Sequence, residues 1–167
     1  MHEIKEIIIL WASTFPSEWA TFLLAMMPVT ELRASIPLAI TVFKMPWWEA
    51  FLYSFLGNLF LGAVVLFLGE TAISYIVKHI SPLSRLWHRY IERVKMRNAK
   101  KFKTWGSLAL ILFVAIPLPI TGAFTGAIAA SLFKIPYWRA LSLLALGIFV
   151  AGCLVTLLTL GAMGVVG

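Results

Sequence analysis

The chain contains no aspartate, no glutamine and a single cysteine, Cys153. One cysteine excludes a disulfide framework and a cysteine-built metal centre. The three histidines, His2, His79 and His88, show no metal-ligand spacing, so surface positions are expected of them and no metal or cofactor. No nucleophile–base constellation and no glycine-rich phosphate loop is present, which argues against an enzyme. The start, HEIKEIIILW, is too acidic for the n-region of a cleavable signal, and no small-residue cleavage site precedes Pro16. No signal peptide is expected there.

What is present is apolar. Hydrophobic residues make up 61% of the 167 residues, against about 45–50% in soluble domains. An integral membrane protein forming one helical bundle is the natural reading. The formal charge of +7 is concentrated: nine of the fourteen Lys and Arg lie between Lys78 and Lys103. That argues against nucleic acid as a partner and for a cytoplasmic loop obeying the positive-inside rule. Within it, Leu83, Leu86, Trp87, Tyr90, Ile91 and Val94 recur at helical spacing among arginines and lysines. A surface helix gripping anionic lipid headgroups is expected over 79–103.

The chain is organised around MPVTELRASIP, residues 27–37, where Glu31 and Arg33 interrupt a long apolar run. A charge at bilayer depth costs roughly 2.5–3.5 kcal/mol on insertion scales and marks a pathway or a binding site. Pro28 breaks the helix before the pair, and Pro37 follows it. Ser13 or Thr14 is expected to cap an arm running to about Met27, and Thr30 to cap a second arm from Glu31 to about Phe43. Arms of about 12 residues reach ~18 Å and cannot cross a ~30 Å core. A re-entrant hairpin is therefore expected. After it, FKMPWW at 43–48 marks a membrane boundary, and Trp47 to about Val77 reads as a spanning helix. Its core, Phe51–Gly69, carries Asn58 as its one strong polar group, expected to face the bundle or a cavity with a partner; Glu70 lies toward the far end.

The pattern then recurs. FKMPWWEA at 43–50 matches FKIPYWRA at 133–140 at an offset of ninety residues, and Gly57 matches Gly147. PVT at 28–30 matches PIT at 119–121 with a slip of one residue. Trp105–Ile116 and Gly122–Phe133 are the arms of a second hairpin, and Tyr137 to about Gly161 a second spanning helix. An odd number of spans per repeat makes the two repeats inverted. The fold class expected is all-α, with repeat 1 at about 14–78 and repeat 2 at about 104–165. Placing Lys134 and Arg139 on the side of the basic loop satisfies the charge rule and puts both termini outside.

Two half-helix N-termini would then meet near the midplane, each with open amides and a positive dipole end. This is an anion site, to which Arg33 adds a permanent charge. Pro117, Pro119 and Thr121 form the second break. Gly122, Thr125, Gly126, Ala127, Ala129 and Ala130 give a small-residue face suited to close packing, with Thr121 and Thr125 within reach of a ligand. Glu31 is a candidate proton-coupling carboxylate. Alternatively, Glu31 and Arg33 neutralise each other or bond the opposing hairpin's open backbone. An i,i+2 spacing disfavours a direct pair on a regular helix.

PVTELRASIPLAI and PLPITGAFTGAIAASLF resemble the small multidrug export protein family over about residues 20–165. Glu31, Arg33, Ile36 and Pro37 match its E-x-R-x-x-I-P pattern; Pro117, Pro119, Thr121, Gly122, Thr125 and Gly126 match its second signature. The family looks distantly related to the DedA (SNARE-associated, VTT) membrane proteins, whose two inverted re-entrant hairpins are implicated in moving lipids such as polyprenyl phosphates. That pattern spreads acidic and Arg residues over both hairpins, whereas here both charges lie in the first. The resemblance implies a transporter with Arg33, Glu31, Thr30, Pro28, Pro37, Pro117, Pro119, Thr121, Gly122 and Thr125 around the substrate. The leading expectation is an anionic, phosphate-bearing lipid; the alternatives are export of small amphipathic drugs and a non-transporting membrane scaffold. A homodimer would cover surface left by the hairpins.

Overall fold

Prolines set where the helices begin. Pro16, Pro46 and Pro136 each stand just before a helix, and their carbonyls accept the first helical bonds, from Ala20, Ala50 and Ala140. A proline there gives up no N–H that the helix would have used. In the computed structural model, which describes residues 16–79, 106–116 and 122–166, this punctuation yields six helices and no strand among the described residues. They are α1 (Ser17–Met26), α2 (Glu31–Thr41), α3 (Trp47–His79), α4 (Gly106–Ala115), α5 (Ala123–Leu132) and α6 (Tyr137–Val166). The basic segment 79–103, apart from the end of α3, and Pro117, Pro119 and Thr121 lie outside the described residues, as do Ser13, Thr14 and the side chain of Glu70.

Two helices are long and apolar enough to cross a membrane, over Trp47–Gly69 and Tyr137–Gly164. The other four have 10 or 11 residues, about 15 Å each, so none can span alone. α3 is the hub and packs against α1, α2, α5 and α6. Its outward face exposes Leu52, Leu56 and Phe60, and α6 exposes Leu146, Leu157 and Leu158. Such faces suit lipid rather than water. Between α3 and α6, Phe149 meets the Phe51 and Phe55 rings edge-on, at centroid distances of 5.6 and 6.4 Å.

The two halves share backbone detail. Lys44 and Lys134, ninety residues apart, both take positive φ, 56° and 53°. A left-handed residue costs about 1–2 kcal/mol without glycine, so the shared strain marks equivalent corners. At the second corner Lys134 N–H bonds Ser131 O and Ile135 N–H bonds Ala130 O, the two bonds of a Schellman ending. The first corner is wider: Phe43 N–H reaches Leu38 O and Met45 N–H reaches Ala39 O. The one-residue slip between the repeats is absorbed in that loosened last turn. Pro37 lies inside α2, where it has no N–H to give the Arg33 carbonyl.

The matched glycines do matched work. A Cβ on Gly57 would lie 2.3 Å from the Phe22 carbonyl oxygen of α1. One on Gly147 would lie 2.7 Å from Val114 Cβ of α4. Each first arm thus crosses its own long helix at a point that tolerates no side chain.

Candidate functional site

Glu31 opens α2 with φ 46°, so the chain enters this helix through a left-handed residue. The expected N-cap at Thr30 does not form. Thr30 has helical φ and ψ and makes no side-chain cap bond; its hydroxyl donates to the Leu24 carbonyl instead. The reason is geometric: the left-handed turn at Glu31 leaves the Thr30 hydroxyl beside the end of α1, whose last carbonyls need donors. Pro28 and Val29 form the exposed apex of this turn, Val29 at 95%, so Pro28 is not brought to Glu31.

The Glu31 side chain goes inward and is 7% exposed. Its Oε1 accepts a hydrogen bond from Phe124 N–H at 3.3 Å, with the Ala123 amide facing the same carboxyl. These are the first amides of α5. The carboxylate of one half therefore sits on the half-helix N-terminus of the other, where charge and dipole are complementary. A hydrogen bond to a charged group contributes about 1.5–3 kcal/mol.

Gly122 makes room for it. A Cβ there would lie 1.8 Å from Glu31 Oε2 and 2.5 Å from its Cδ. At the ninety-one-residue offset of the two tips, Gly122 is the equivalent of Glu31 itself. One half supplies the acid, and the other supplies the missing side chain at the matching place. Gly122 is the N-cap of α5. Its N–H donates to the Thr125 hydroxyl at 3.0 Å, so Thr125 serves the helix start.

The long helix fixes the level of this junction. Ser35 on α2 donates to Ser54 on α3 at 2.7 Å, fully buried. One turn earlier on α2 is Glu31; one turn later on α3 is Asn58. A further turn along, a Cβ on Gly62 would lie 3.9 Å from the Cβ of Ala123, the first residue of α5, and Gly69 then faces Ser131 near its end. So α2 and α5 both start beside the middle of the Trp47–Gly69 stretch and run opposite ways along it. Asn58 is 1% exposed, and its Oδ1 has no hydrogen-bond partner among the described residues. The partner expected for Asn58 is not found for its Oδ1 among the described residues.

Arg33 is half-buried. It lies two residues from Glu31, and the two charges interact. Of the small-residue face on α5, Gly126, Ala127 and Ala130 are buried, with Gly126 packed on Val114 and Leu144. This is the close packing expected of them. The described residues hold no group of three or more His, Cys, Asp or Glu fit for a metal.

A family model described as "Putative small multi-drug export protein" matches residues 31–154, from Glu31 through α3 and the second tip into α6. The chain belongs to this small multi-drug export family. The family's description points to a transporter rather than an enzyme. No curated protein and no solved structure matches the chain. Within this member of the family, the site gathers Glu31, Gly122, Asn58 and the α5 amides, with Thr125 and Arg33 at its margin. Sequence reasoning missed the Ser35–Ser54 pair and the pairing of Glu31 with Gly122. The repeat offset marks Glu31 and Gly122 as equivalent positions but does not show that they meet.

Proposed function

We propose that this chain is a membrane transporter or flippase for a lipid with an anionic, phosphate-bearing headgroup. Its halves are inverted repeats, each a re-entrant hairpin followed by a spanning helix, with the 79–103 segment cytoplasmic and both termini outside. The observation that carries this reading is the Glu31 carboxylate on the Phe124 amide. An anion is already seated on a half-helix N-terminus beside the middle of an apolar spanning stretch. A phosphate oxygen presents the same charge and acceptor geometry as that carboxylate. Arg33 offers the headgroup a permanent, forked donor, and Glu31 vacates the amides when a proton neutralises it. Substrate and carboxylate then take turns on one seat, which couples headgroup movement to protons. The distant relation to the DedA proteins belongs with this reading and rests on the motifs.

A second reading, export of small amphipathic drugs, is favoured by the family's description. It would use Glu31 and the aromatic α3–α6 contacts and leave Arg33 idle. Proteoliposomes separate the two. The first reading expects a fluorescent polyprenyl phosphate to cross faster than in empty vesicles and Arg33→Ala to abolish the gain. If that probe crosses no faster, while a cationic amphipathic dye is moved with or without Arg33, the second reading replaces the first.

A further inference from the structure

Asn58 is the one strong polar group in the apolar body of α3, and its Oδ1 has no donor among the described residues. A buried unmatched acceptor is unfavourable, so its presence asks for a second state in which it is matched. The neighbours restrict the donor. Ser54, one turn away, accepts from Ser35, and no bond from the Ser54 hydroxyl to Asn58 is formed. On the other side stands Gly62 against Ala123. At the level of Asn58 lies the Glu31 carboxyl, which as a carboxylate can only accept. Once protonated, it gains one O–H to donate.

We propose that Asn58 is a second seat for the Glu31 carboxyl group. Ionised, the group rests on the Phe124 and Ala123 amides. Protonated by a proton from water, it turns from α5 to α3 and donates its O–H to Asn58 Oδ1. Loss of that proton to water sends it back. No covalent bond changes, and the α5 amides are open only in the protonated state. Asn58 is thereby a positioning residue that holds Glu31 off the anion seat. The inference rests on the reading of this junction as a transport site.

No other titratable side chain competes for the role. Among the described residues, α4 and α5 bring none; α1 brings Glu18 in its first turn; α3 brings Glu49 and Tyr53 toward its start and, three or more turns past Asn58 in sequence, Glu70, Tyr75, Lys78 and His79; α6 brings Tyr137 and Arg139 at its start and Cys153 further on. On α2 itself the neighbour is Arg33. The repeat supports the assignment. Ile148 stands where Asn58 would have its counterpart, and Gly122 where Glu31 would. The half without the acid also lacks the amide.

The test is infrared difference spectroscopy of the full chain in liposomes between neutral and acidic pH. The carbonyl stretch of protonated Glu31 is identified by its loss in Glu31→Gln. In Asn58→Ile, that band is expected to move to the higher frequency of an acid that donates to nothing. Asn58→Ser, too short to reach, is expected to give the same shift and serves if the isoleucine variant fails to fold. A band unmoved in the folded variants, or no such band in the wild type, overturns the proposal. Transport of the polyprenyl phosphate probe is measured on the same vesicles. A shifted band with no lipid movement removes the transport reading and leaves the second seat standing; the converse removes only the second seat.

Discussion

Gly122→Ala is the smallest change that reaches the centre of this fold. The backbone of Gly122 is extended, with φ −176°, so an alanine meets no conformational penalty there. What it meets is the Glu31 carboxyl, at 1.8 Å from Oε2. The carboxyl is the end of a flexible chain and can move, so the cost is its lost bond to Phe124, about 1.5–3 kcal/mol for a charged acceptor. In a Glu31→Ala background the space is empty, and Gly122→Ala is expected to cost only about 0.5–1 kcal/mol, the difference between glycine and alanine at an N-cap. The double-mutant cycle should therefore show a coupling of about 1.5–3 kcal/mol, read from unfolding of the purified protein in mixed detergent micelles. Additive effects, within about 0.5 kcal/mol, would mean that the two residues do not meet and would refute the reasoning.

Three further outcomes follow from the packing. Gly57→Ala drives a methyl into the Phe22 carbonyl and should cost about 1–3 kcal/mol or more. Gly161→Ala, with nothing within 4 Å, should be neutral or stabilising by up to about 1 kcal/mol; equal effects in thermal melts would contradict the crossing at Gly57. Ser35→Ala or Ser54→Ala alone strands a buried hydroxyl and should cost about 1–3 kcal/mol, while the double variant should recover most of the loss. With Cys153→Ser as background, single cysteines at 44 and 134 should react with an impermeant thiol reagent from opposite faces of the membrane. Labelling from one face would exclude inverted repeats.

The parts of the fold that the chain advertises are those set by local chemistry. Pro46 and Pro136, the paired Phe-Lys-x-Pro corners and the apolar stretches after them fix the two long helices within a few residues. The breaks at Pro28 and ahead of Gly122 fix the short arms. Thr30 misled because its hydroxyl has two ways to satisfy a helix end, and the left-handed Glu31 decides between them. That choice depends on α5, 93 residues away in sequence, so no local rule contains it. The site was half legible. The charges of Glu31 and Arg33 announced themselves by their setting, and the open amides of α5 were foreseen. That one fills the other is the alternative reading of Glu31, as a bond to the opposing hairpin's backbone, and only tertiary packing selects it. The repeat sets a glycine and a glutamate at equivalent positions ninety-one residues apart, yet Gly122 also fits plain helix packing. The orphan Asn58 could be recognised only once the serines beside it were seen to pair with each other.

The central claim is that the Glu31 carboxylate joins the halves by resting on the start of α5. The amide resonances of selectively labelled protein in micelles test it directly. In Glu31→Gln, the Phe124 and Ala123 amides should move far more than those of Ala129 or Ala130 toward the end of the same helix. Unmoved Phe124 and Ala123 amides would contradict the account at its root.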